Sequence, residues 1–201
     1  MIVKCIANRI NFIDGLTKLG RELRESTGVG NHQLDITIGR FYVVYGVALR
    51  QTGPWYFISD DLYNYTSYPI AYPSALFELL DEKSSVCWLN KYQAKEIKNL
   101  QTKADVLYTF TEWSNNDMFY EHLVNGDNEV LSVFNQKKLF MDMEFPNPSC
   151  NTRAKILGEG WVQCIQCENA WELKSCLGML KCPKCHTILL NPVYLEKDKS
   201  I

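Results

Sequence analysis

Five of the chain's eight cysteines fall in the short window from Cys164 to Cys185. Cys164 and Cys167 are two residues apart, as are Cys182 and Cys185, and fourteen residues separate the pairs. A C-x2-C unit turns tightly enough to aim two thiolates at one point, and two such units complete a tetrahedral four-sulfur shell suited to Zn2+. Two redox-active pairs or disulfides, or an iron–sulfur centre, are the alternative readings of this spacing. Four protein ligands leave no open position for water or substrate, so a metal held this way is structural. His186 directly follows the last cysteine, as a hydrogen-bonding neighbour of the centre or as a fourth ligand in a Cys3His set. Cys176, between the pairs and out of phase with both, reads as a small packing residue.

Other reactive residue types are sparse. The three histidines, His32, His122 and His186, are scattered, and none sits in the H-x-E context of a zinc deaminase. There is no G-x-S-x-G, phosphate-cradling glycine loop or HExxH. Cys5 and Cys87 lie in expected strands, where a buried apolar thiol is the default. Asp60 and Asp61 are adjacent, and neighbours on a strand point to opposite faces, which argues against a shared metal. An enzyme is therefore not expected.

Charge points to a different kind of function. Between Arg50 and Lys83 the chain holds Asp60, Asp61, Glu78, Asp81 and Glu82 and no Lys or Arg. A second base-free window, between Lys103 and Lys137, holds Asp105, Glu112, Asp117, Glu121, Asp127 and Glu129. Such stretches repel phosphate and attract basic proteins. The first is also rich in rings, and Asp60, Asp61, Tyr63, Tyr65 and Tyr68 form a polar, turn-rich run of the composition common at protein contact surfaces. Residues 155–201 carry six lysines against five acids, and a Zn2+–tetrathiolate centre adds two negative charges. Nucleic acid is accordingly a poor partner.

The elements that must position these residues are legible in part. The 201 residues, 46% hydrophobic and 22% charged with a formal net charge of -2, fit a mid-sized soluble domain with an appendix. An opening strand signal is followed by a helix around residues 12–27. Residues 41–49 form a strand covered on both faces, Thr52-Gly-Pro turns the chain, and residues 55–59 return as a hairpin. Residues 76–81 and 85–89 read as further strands. Helical periodicity follows over 110–113 and 118–124, then from Asp127, a candidate N-cap, with Val130, Phe134, Leu139 and Met141 in reach of one stripe. Pro146 closes that helix. The expected class is α+β: a small SH3-like or rolled β-barrel with helices over residues 1–146, and a metal module over 155–195. With no apolar run long enough to span a bilayer and no secretory signal pattern, a soluble cytoplasmic protein without membrane partners is expected.

The cysteine pairs and their flanks, Trp161-Val-Gln, Ala170-Trp-Glu-Leu and Thr187-Ile-Leu-Leu, resemble the zinc-ribbon family over about residues 155–195. The earlier part has a second resemblance. Ile38-Gly-Arg-Phe-Tyr-Val-Val-Tyr-Gly-Val-Ala-Leu-Arg, Pro54-Trp-Tyr-Phe-Ile-Ser-Asp-Asp, Tyr72-Pro-Ser-Ala-Leu-Phe-Glu, Glu112-Trp and Asp142-Met-Glu-Phe are similar to small bacterial immunity proteins of contact-dependent and other polymorphic toxin systems. That resemblance implies a protein that occludes a toxin, often a basic nuclease, with an acidic packed surface. Many compact immunity proteins have no ribbon, which leaves a nucleic-acid-binding or regulatory adaptor as the alternative.

Overall fold

The structure is a computed structural model that describes residues 1–9, 19, 21, 33–62, 68–89, 104–147 and 149–197. The chain forms two compact units, Met1–Lys138 and Leu139–Ile201. The helix expected around residues 12–27 lies, apart from Leu19 and Arg21, outside the described residues, as does His32.

The first unit is built on a mostly antiparallel sheet of β1 (Ile2–Cys5), β2 (Phe41–Arg50), β3 (Gly53–Ile58), β4 (Ile70–Pro73), β5 (Phe77–Asp81) and β6 (Ala104–Tyr108). Its spatial order is β4-β3-β2-β1-β5, with β6 on β2 beyond β1. Among the described residues β2, at ten residues, is the only strand long enough to take two partners on one edge. Phe41–Val43 pair with β1, and Val47–Arg50 pair with β6. The sheet therefore branches at β2 and does not close, so the expected barrel is corrected to an open sheet among the described residues. Residues 85–89 are likewise not a strand. The Ser85 hydroxyl accepts the Cys87 N–H at 3.1 Å and its carbonyl accepts the Trp88 N–H at 3.0 Å, making a turn that touches Phe110 through a single bridge.

Both faces of the sheet are covered by rings. On one side the Phe57 ring meets Trp113 at 5.0 Å and Tyr120 at 5.3 Å, and Tyr45 meets Phe134 at 5.8 Å. On the other, Tyr42 and Tyr56 meet Phe77 at 6.2 and 6.0 Å. The helices α1 (Thr111–Ser114) and α2 (Phe119–Val124) are too short to persist alone. Trp113 pins them, stacked on Tyr120 and Phe119 with both centroids at 5.6 Å.

Gly126, at φ +79, ends α2, and Asp127 opens α3 (Asn128–Glu144). Its Oδ1 accepts the Glu129 and Val130 N–H groups at 3.0 and 3.2 Å, as expected of an N-cap. Along α3, Phe134 and Met141 are buried but Leu139 is exposed, because five residues from Phe134 is about 140° round the helix.

The second unit holds the last turns of α3, a sheet of β7 (Lys155–Gly158), β8 (Trp161–Gln163) and β9 (Ala170–Glu172), a hairpin of β10 (Met179–Lys181) and β11 (Ile188–Leu190), and α4 (Pro192–Lys197). The sequence break near residues 146–156 falls inside this unit. The Gly178 N–H donates to Glu144 O at 2.8 Å, and a Cβ on Gly178 would stand 2.5 Å from Pro146 N. No other residue fits there, so glycine fastens the end of the helix to β10. Buried Ala154, Val162, Leu180 and Leu189 make a small core with Cys164 and Cys182.

Candidate metal centre

Two turns of matching construction hold the four cysteines. In the first, Glu168 N–H donates to Cys164 O and Cys164 N–H to Asn169 O, both at 2.9 Å. In the second, His186 N–H donates to Cys182 O at 3.0 Å and Cys182 N–H to Thr187 O at 2.9 Å. Glu168 and His186 occupy the same place, one residue after the second cysteine, and both are left-handed, at φ 58 and 60. That conformation lets the chain double back and return as a strand. His186 is therefore a backbone element of its turn, exposed, and not among the residues gathered at the centre.

The sulfurs of Cys164, Cys167, Cys182 and Cys185 all lie within 4.8 Å of one another. Cys164 and Cys185 are 3.6 Å apart, as are Cys167 and Cys182, so each short distance joins one turn to the other. A tetrahedral ion with thiolate bonds of about 2.3 Å needs sulfur–sulfur edges of about 3.8 Å. The four residues thus fit a metal ion as they stand, and they are the one such cluster among the described residues.

The sulfurs differ in access and acidity. Cys164 and Cys182 are buried, Cys167 is half-buried and Cys185 is exposed. The Thr187 hydroxyl, 3.1 Å from Cys185 Sγ, and the Thr187 N–H bring that thiol down to about 6. The Asn169 N–H pulls Cys167 down too, but desolvation and the Cys185, Cys182 and Cys164 sulfurs outweigh it and push that thiol up to about 12. Four negative sulfurs cannot coexist at these distances unless a cation balances them.

Of the other cysteines, Cys5 is buried with its thiol donating to Ala7 O, as expected. Cys87 is half-buried in the turn. Cys176 is exposed, which corrects its reading as a packing residue.

The expected contact residues are placed differently from one another. Asp60 is buried, 5% exposed, and accepts the Tyr72 hydroxyl at 2.7 Å and the Leu62 N–H at 3.0 Å. Burial raises its carboxyl above the usual range, against these two hydrogen bonds. Asp61 is tied to Arg40 Nη1 at 2.6 Å and to the hydroxyls of Tyr42 and Thr37. Tyr68 is half-buried with its ring perpendicular to Tyr120. Tyr63 and Tyr65 lie outside the described residues.

The second base-free window has a different fate. Glu112, Asp117, Glu121, Asp127 and Glu129 are all exposed along α1, α2 and the start of α3, beside exposed Met118 and Val124. Glu112 pairs with Lys137 at 2.8 Å and Asp127 approaches His122 at 3.8 Å, whereas Asp117, Glu121 and Glu129 project into solvent. No helix among the described residues is long and apolar enough to cross a membrane.

Comparison with protein-family models, with curated proteins and with solved structures gave no match for the chain.

Proposed function

We propose that this is a non-enzymatic protein-binding module, held together in its second unit by a structural Zn2+, that engages a basic protein partner through its acidic helical face, as an immunity protein engages a toxin. The four-sulfur set supports zinc, which takes tetrahedral thiolates without a preference from d-electrons, and it leaves no position for a substrate. The observation that carries the binding reading is the row of solvent-facing acids Asp117, Glu121 and Glu129 around Met118 and Val124. An apolar centre rimmed by one sign of charge steers an oppositely charged partner and excludes water once docked.

The test is affinity capture with the intact chain at low and physiological ionic strength, wild type against the Asp117→Asn/Glu121→Gln double variant. A basic toxin domain encoded in the neighbouring gene should bind the wild type, and salt and the variant should both weaken it. Equal binding by the variant removes this face from the reading. Less than about one zinc per purified chain removes the metal assignment.

A nucleic-acid-binding ribbon is the second reading, favoured by Trp161, which is 47% exposed and shares a sheet face with Lys155. The lysines of that module are nearly balanced by its acids, and a gel shift with generic RNA and DNA over a salt series decides the matter.

A further inference from the structure

We propose that the metal centre is also a peroxide-sensitive switch, in which hydroperoxide replaces the ion by two disulfides that run between the turns, Cys164–Cys185 and Cys167–Cys182. This rests on the zinc reading of the site. Each pair joins a cysteine that is more open to solvent to one that is buried. Cys185 is exposed and its 3.6 Å neighbour Cys164 is buried; Cys167 is half-buried and its 3.6 Å neighbour Cys182 is buried. Peroxide meets the outer sulfur first, and a resolving thiolate already stands against it in the opposite turn.

The steps balance. The Cys185 thiolate attacks one oxygen of hydrogen peroxide; an S–O bond forms, the O–O bond breaks, hydroxide leaves, and the sulfur is oxidised by two electrons to the sulfenic acid. The Cys164 thiolate then attacks that sulfur, forming the S–S bond and expelling a second hydroxide. Two protons from solvent convert both hydroxides to water. Only about 1.5 Å of closure separates 3.6 Å from a disulfide of about 2.05 Å. With two of its four donors consumed the centre can no longer retain the ion, and a second peroxide oxidises Cys167 and Cys182 in the same way.

The consequence is specific to this pairing. Disulfides within each C-x2-C unit would leave the β8–β9 and β10–β11 halves unconnected. Disulfides between the turns tie the same two points that the metal tied, so the ribbon exchanges one cross-link for another and keeps its fold.

The experiment uses the zinc-loaded full chain carrying Cys176→Ser, which removes the exposed thiol outside the centre. Metal content is measured first by elemental analysis, so that failure of the zinc reading shows there, before any oxidant is added. Hydrogen peroxide is then titrated in, with zinc release read by a chromogenic chelator, disulfides mapped by peptide mass spectrometry, and protection of the Cys182 and His186 amides followed by hydrogen exchange. The expected result is about two peroxides consumed per chain at completion, with the zinc lost at the first disulfide, peptides joining residues 164 to 185 and 167 to 182, retained protection, and recovery of the loaded form with thiol reductant and Zn2+. Disulfides confined to 164–167 and 182–185, loss of amide protection on oxidation, or a centre that stays loaded under excess peroxide would each overturn the proposal.

Discussion

Removing the ion should unfold the second unit while the first stays folded. The apolar core around the cysteines has three sizeable aliphatic side chains, Val162, Leu180 and Leu189. At roughly 2 kcal/mol each they contribute about 6 kcal/mol. Metal binding by ribbon-sized peptides is on the order of 10 to 16 kcal/mol. A chelator strong enough to take the ion therefore removes more than these three side chains supply. Hydrogen exchange on the intact chain reads the result segment by segment. The Cys164, Glu168, Cys182 and His186 amides, which donate within the two turns, should lose protection when the ion is stripped, and those of β2 and β3 should keep it as an internal control. Binding displaces thiol protons, so the ion should also be lost as pH falls and regained as it rises. Undiminished protection of the turn amides in chelator-treated, metal-free protein would refute the reasoning.

Four further changes probe the framework. Burial raises the folded carboxyl of Asp60 above its ordinary value of 3.8, so between that value and the raised one the folded state binds more protons than the unfolded. Its contribution to stability is greatest at acid pH and falls as pH rises through that window. Urea midpoints read from exchange of β3 amides should show Asp60→Asn gaining on wild type as pH rises from 3.8 through the raised value, and a gain in the other direction would contradict the burial argument. Trp113→Ala should destabilise the first unit by about 3 to 5 kcal/mol in the same assay, since the ring is 2% exposed and stacks on two others. Gly178→Ala should destabilise the second unit by about 1 to 3 kcal/mol, because the added carbon meets the backbone atoms Pro146 N and Glu144 O, which cannot swing aside. His186→Gly should retain one metal per chain, as glycine takes φ 60 without strain; loss of the ion would make His186 a ligand.

What the sequence revealed followed from how local each signal was. C-x2-C spacing fixes where two sulfurs go, and the turn after Asp127 needs only that side chain and the next two amides. The long alternation of β2 and its hairpin with β3 were equally plain. β4 was hidden, because Ile70–Pro73 sits in a polar, tyrosine-rich run and is a strand only by virtue of lying against β3. Barrel closure was over-read for the related reason that short strands announce themselves but their partners do not. The left-handed positions at Glu168 and His186 carried no sequence signal, since glycine would have marked them and neither is glycine.

The two base-free windows show why charge counted along a chain is blind to what a partner meets. Both read as strong acidic stretches, and the first had the rings as well. Folding sends Asp60 inward against Tyr72 and spends Asp61 on Arg40, so that pair stabilises a loop and offers little outward field. The middle of the second window lies on short helices whose inward positions are filled by Phe110, Trp113, Phe119 and Leu123, and this leaves Glu112, Asp117 and Glu121 on the outside. A partner drawn by charge should therefore respond to Asp117 and Glu121, steeply at low ionic strength where the Debye length exceeds about 10 Å, and hardly at all to Asp60. If binding instead follows Asp60→Asn and ignores the helical acids, the inner carboxylate acts through the shape of its loop, and the electrostatic account of this surface fails.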